Sequence, residues 1–155
     1  MRIKSFQGAS LLDFPSRVAS LVFTGSCNLT RPFCHNAGLV LDPDSYPDYP
    51  LDELLADLKK REGFIDGVVV SGGEPTIDAG LPAFLSLLKE SHLQVKLASN
   101  GLAPKVIAVY QPQQLFRLAE QAGKYVDQVQ VRGVWKSCHK LKNPRGCTPW
   151  IFYYR

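Results

Sequence analysis

One methionine, two tryptophans and four cysteines occur in 155 residues, and no apolar run approaches the roughly 20 residues of a membrane-spanning helix. The first twenty residues already carry Arg2, Lys4, Asp13 and Arg17, which leaves no apolar stretch for a signal peptide either. Without a secretory leader, four cysteines do not predict a disulfide framework. They predict metal binding or buried thiols, in a cytoplasmic protein without a membrane partner. Acid is missing locally: residues 132–155 contain Arg132, Lys136, Lys140, Lys142, Arg145 and Arg155 but neither Asp nor Glu. Those six leave 12 of the 18 basic residues against all 14 acidic ones, so the net charge of +4 belongs to this last segment. With 45% hydrophobic and 21% charged residues, the chain suits one globular domain with a substantial core.

Residues 18–24 form an apolar, β-branched run that ends at Gly25-Ser26-Cys27, and residues 67–71 form another that ends at Gly72-Gly73. Both predict buried parallel strands. Between them Leu51, Leu54, Leu55 and Leu58 recur at helical spacing, with Lys59, Lys60 and Arg61 suited to the helix C-terminus and Gly63 placed to stop it. The unit repeats as a Leu81, Phe84, Leu85, Leu88 stripe, then a strand over 93–97 and a turn at Asn100-Gly101. A further helix is predicted from Pro112 to Gly123 and a fourth strand over 125–131. Strands alternating with helices mean an α/β protein with a parallel sheet, its chemistry at the C-terminal ends of the strands. No helical stripe follows the fourth strand, which divides the chain into residues 1–131 and a divergent basic, aromatic segment, 132–155.

Every candidate motif falls at those strand ends. The loop after the first strand reads Cys27-Asn28-Leu29-Thr30-Arg31-Pro32-Phe33-Cys34-His35-Asn36, the loop after the second Ser71-Gly72-Gly73-Glu74-Pro75-Thr76, and the third strand runs out as Lys96-Leu97-Ala98-Ser99-Asn100-Gly101. Glycines permit close backbone approach, and thiolates in a loop can converge on a metal. Taken singly, the bland alternatives win: two cysteines seven positions apart are more often buried thiols, and Gly-Gly-Glu-Pro more often an ordinary turn. For His35 a hydrogen-bonded loop histidine is the better expectation, and the leucine stripes are core. Cys138 and Cys147, with His139, match no zinc spacing, and incidental cysteines are the favoured reading there.

In this order and with these flanks, the three motifs resemble the radical S-adenosylmethionine superfamily, whose cluster cysteines are spaced Cys-x3-Cys-x2-Cys with an aromatic residue before the third. Cys27 matches the first, Cys34 the third and Phe33 the aromatic; Arg31 stands at the second. Ser10-Leu11-Leu12-Asp13-Phe14-Pro15 leading into Val22-Phe23-Thr24, and the Cys34-His35-Asn36 ending, are similar to the activating proteins of anaerobic ribonucleotide reductase. The resemblance covers about the first two thirds of the chain.

It implies a partial (β/α) barrel of parallel strands, here truncated, since at roughly 30 residues per strand-helix unit a six-unit barrel needs more chain. The resemblance also implies a 4Fe-4S cluster on Cys27 and Cys34, S-adenosylmethionine as co-substrate, and a 5′-deoxyadenosyl radical that installs a glycyl radical. Anaerobic ribonucleotide reductase or another glycyl-radical enzyme would be the partner, and a protein such as flavodoxin the reductant. In the family the Gly72, Gly73 segment meets the methionine end of the co-substrate, Glu74 fixes the turn, Phe33 lies by the adenine, and Ser99 and Asn100 are polar contacts to it. Ala98 stands where the family commonly has Asp, and Arg132 and Val134 where it has Asp and Lys. Arginine keeps its proton and offers no lone pair to iron, so Arg31 cannot replace a thiolate. Two rivals follow: a non-catalytic scaffold that has lost the cluster and keeps weak ligand or partner binding, and a nucleic-acid module built on residues 132–155, the weakest because no motif accompanies the charge.

Overall fold

The computed structural model describes residues 1–103, 105–107, 128–132 and 151–153. The helix expected from Pro112 to Gly123, the start of the fourth strand at Tyr125, and Cys138, His139 and Cys147 lie outside them. Nine elements follow in order: strands β1 (Ile3–Ser10) and β2 (Ala19–Thr24), helices α1 (Ala37–Leu41) and α2 (Leu51–Lys59), strand β3 (Gly67–Gly72), helix α3 (Leu81–Glu90), and strands β4 (Gln94–Ser99), β5 (Gln128–Arg132) and β6 (Ile151–Tyr153). Short 3-10 turns occupy Pro43–Ser45 and Pro75–Ile77.

The strands form one sheet in the order β1-β2-β3-β4-β5-β6. Its four central strands are parallel, with Ala19 beside Gly67, Gly67 beside Gln94 and Lys96 beside Gln128. The expected βαβαβ series is present, and the strand expected over 125–131 appears as β5. One feature differs from expectation. Antiparallel strands flank the parallel core, β1 on β2 and β6 on β5. The described strands form an open sheet, since β1 and β6 are its two edges and do not pair.

Strands β2 and β3 read as largely apolar runs because both faces of the sheet are covered there. On one face Val22, Val68, Val70, Val95 and Leu97 pack against Leu54 and Leu58 of α2 and against Leu81, Phe84, Leu85 and Leu88 of α3. On the other Ala19, Leu21 and Val69 pack with Phe14, from the turn between β1 and β2. All four members of the α3 stripe are buried, whereas Leu51, the first of the α2 stripe, is exposed.

Ion pairs and hydrogen bonds tie the loop before α2, and α2 itself, to β1. Lys4, almost fully buried, reaches Asp48 at 2.5 Å and the carbonyl of Tyr46 at 2.9 Å. Tyr49 donates its hydroxyl to Asp57 at 2.6 Å, and Arg61 sits over the Phe6 ring, 5.2 Å from its centroid. The hydrogen bond from Lys4 holds the Asp48 carboxyl below its ordinary range, and the Tyr49 hydroxyl, then Lys60, does the same for Asp57. Because the folded values are depressed, the stabilisation is complete above the unfolded carboxylate range, near pH 3.9, and is lost as pH falls through the folded values. The wild-type chain should therefore lose more stability than Asp57→Asn between about pH 5 and pH 2.5. Urea midpoints across that range check this, and parallel curves for the two proteins would contradict it.

Candidate functional site

Parallel strands in register end together, so Thr24, Gly72 and Ser99 deliver the three motif-bearing loops to one edge of the sheet. The loops bind one another there. The amide of Gly73 donates to the carbonyl of Thr24 at 2.8 Å, that of Glu74 donates to Ser26 at 2.9 Å, and the Asn36 side chain donates to the carbonyl of Gly72 at 3.2 Å. A β-carbon on Gly73 would lie 1.7 Å from the carbonyl oxygen of Ser26, and one on Gly72 would lie 2.3 Å from the amide nitrogen of Thr24. Gly72 also has φ +109°, closed to other residues. Sequence reasoning assigned this close approach to a ligand. The partner that fills the space is the backbone of the loop leading to Cys27.

Glu74 is 1% exposed and joins the second loop to the third. Its Oε1 accepts from the Thr76 amide at 3.1 Å, from the Thr76 hydroxyl and from the Ser99 hydroxyl at 2.8 Å; its Oε2 accepts from the Asn100 amide at 2.5 Å. All four partners donate, and a carboxylate, acceptor at both oxygens, satisfies them together. Ser99 in turn accepts from the Gly101 amide at 3.1 Å. Asn100 closes the ring of loops: its Nδ2 donates to Asn28 Oδ1 at 2.7 Å and lies 3.8 Å from Cys27 Sγ, while its Oδ1 accepts from the Leu102 amide at 3.0 Å. Gly72, Gly73, Glu74, Ser99, Asn100 and Cys27 thus form one contiguous constellation.

Cys27 and Cys34 are both free and half-buried, but their surroundings differ. The Cys27 sulfur accepts from the Leu29 amide at 3.4 Å and faces Asn100. Cys34 faces a cavity lined also by Thr30, Arg31, Pro32, Ala37, Val40 and Leu41, and Cys27 is not among its walls. Phe33 is 61% exposed at the rim of this loop, and His35 is exposed beside it. A 4Fe-4S cluster left open at one iron needs three thiolates. Among the described residues no three Cys, His, Asp or Glu side chains gather in a way that could hold a metal, and the position between Cys27 and Cys34 holds a guanidinium. The described residues do not fit the cluster.

Sequence reasoning gave no role to Asn28, Asn36 or Thr76. All three lie within the quoted motifs, Asn28 and Asn36 in the cysteine loop and Thr76 at the end of the glycine segment, but contacts such as Asn28 to Asn100 span 72 positions and leave no local pattern. Replacing Asn28 with Ala should leave the Asn100 amide short of an acceptor and cost about 1 kcal/mol. Asn28→Asp, which keeps the acceptor, should cost less. Denaturant midpoints of the two variants check the order.

No family model matches the chain. It is 31% identical over 99 residues to a protein of Methanocaldococcus jannaschii named as a glycyl-radical enzyme activating enzyme, covering 63% of this chain and 40% of that one. Over 95 residues it is 32% identical to the 7,8-dihydro-6-hydroxymethylpterin dimethyltransferase of the same organism, covering 58% of this chain and 18% of the relative. Over 89 residues it is 36% identical to a protein of Sulfolobus acidocaldarius named as a GTP 3',8-cyclase, covering 57% and 28%. The chain therefore spans less than half the length of each of these relatives. The resemblance read from the motifs holds: the curated relatives of this chain include glycyl-radical enzyme activating enzymes and other radical S-adenosylmethionine proteins.

Proposed function

We propose that the chain carries the co-substrate site of a glycyl-radical activating enzyme of the radical S-adenosylmethionine type, with its cluster ligation left incomplete by Arg31. The observation that supports this most is the meeting of all three motif loops at one edge of the parallel sheet, tied together by Glu74 and Asn100. The sheet is then part of a (β/α) barrel, with residues 132–155 a divergent segment after it. Cys27 and Cys34 are the two remaining cluster ligands. Phe33, Gly72, Gly73, Glu74, Ser99 and Asn100 bind S-adenosylmethionine or shape the loops that do. The flanking Ser10-Leu11-Leu12-Asp13-Phe14-Pro15 segment favours anaerobic ribonucleotide reductase as the glycyl-radical partner, with a flavodoxin-like reductant, in the cytoplasm.

Two thiols and a guanidinium favour a second reading, a scaffold that keeps ligand or partner binding without catalysis. Radical chemistry separates the two: 5′-deoxyadenosine released under reducing, anaerobic conditions supports the first, and its absence supports the second. Both readings keep binding at the meeting of the three loops. Without iron to chelate the amino and carboxylate groups, only hydrogen bonds and packing remain, and these seldom replace coordination. Calorimetry should show weak S-adenosylmethionine binding to the iron-free chain. Equally tight binding with and without iron would contradict this.

A further inference from the structure

The cavity beside Cys34 has a composition that the cluster chemistry does not explain. It measures about 320 Å³, and Pro32, Ala37, Val40 and Leu41 give it an apolar wall; Thr30, Arg31 and Cys34 supply its polar groups, and no acidic residue lines it. Arg31 is half-buried, and among the described residues its guanidinium has neither a hydrogen bond nor an ion pair. A guanidinium at the edge of an otherwise apolar cavity, with no counter-ion among the described residues, favours an anion there.

The walls are fixed from both sides. The Cys34 amide donates to the Arg31 carbonyl at 3.1 Å, which closes the 31–34 turn. The Ser26 amide donates to Leu39 at 2.9 Å and the Asn36 side chain to Gly72, so α1 is held against the loop. Tyr46 packs so close to Gly38 that a β-carbon there would lie 2.2 Å from its hydroxyl, which backs α1 from the far side.

We propose that this cavity binds a small organic monocarboxylate with an apolar body, the carboxylate on Arg31 and the body against Ala37, Val40 and Leu41. One guanidinium matches one carboxylate in a bidentate pair. A phosphate dianion would ask for more cations and amide donors than the lining offers. The volume lies at the low end for ligand pockets and suits a ligand of few heavy atoms. In this proposal the residue that spoils cluster ligation creates a site of another kind. It needs neither iron nor S-adenosylmethionine, so it stands or falls separately from the proposed function.

The test uses the full chain, free of iron and S-adenosylmethionine, with benzoate as probe, benzamide as its neutral counterpart and inorganic phosphate as a plain anion. Alkylation of Cys34 by iodoacetamide is followed by peptide mass spectrometry. Benzoate should slow it saturably and leave Cys27 unchanged, while benzamide and phosphate should have no effect. Arg31→Gln should weaken the protection about tenfold or more, Arg31→Lys should retain part of it, and Leu41→Asp should weaken it by placing like charge at the rim. Absence of protection, equal protection by benzamide or phosphate, or full protection in Arg31→Gln would overturn the proposal.

Discussion

Glu74→Ala should cost about 4 kcal/mol of stability, a large share of what a domain of this size possesses. Removing the carboxylate strands two amides and two hydroxyls in a buried site, and each unsatisfied buried donor costs about 1–3 kcal/mol. Partial entry of water keeps the sum below its upper limit. Glu74→Gln should cost less, about 2 kcal/mol, because the amide oxygen still serves one side while its NH2 meets a donor on the other. Ser99→Ala removes one donor only, and combined with Glu74→Ala it should add far less than its own cost, since the two share one hydrogen bond. Urea unfolding of the two single variants and the double variant measures this coupling; full additivity would mean that the carboxylate does not hold the loops together.

The sheet was legible where apolar patterning is local. The runs at 18–24 and 67–71 and the α3 stripe give elements within a residue or so of those observed. Strand β1 escaped because Lys4, Gln7 and Gly8 interrupt it, and Lys4 is buried only through a partner, Asp48, that lies 44 positions away. The glycine pair was legible as a close approach but not as an approach to what, since nothing in Gly72-Gly73 names the Thr24–Ser26 backbone that fills the space. The role of Glu74 in fixing its turn could be anticipated. Its bonds to Ser99 and Asn100, across 25 and 26 positions, could not. Arg31 was legible as a departure from the motif, while the cavity it lines depends on where α1 folds back.

Arg31→Cys should produce the largest chemical change of any single substitution in this chain. It places a third thiol in the Cys27 to Cys34 interval at the family's spacing, so that anaerobic reconstitution should raise iron from a labile, substoichiometric content towards about four per chain. A broad thiolate-to-iron charge-transfer absorption should appear with it. Arg31→Ser, which removes the guanidinium but adds no thiolate, should not gain iron, and this separates ligation from relief of bulk and charge.

The most direct test of the account is the iron and acid-labile sulfide content of the unaltered chain after anaerobic reconstitution and desalting. An incomplete ligand set predicts well under four irons per chain, lost further on brief chelation. A full, chelator-resistant complement of four irons and four sulfides in the chain that carries Arg31 would contradict it, and loss of that cluster in Cys138→Ala or Cys147→Ala would then identify the missing ligand.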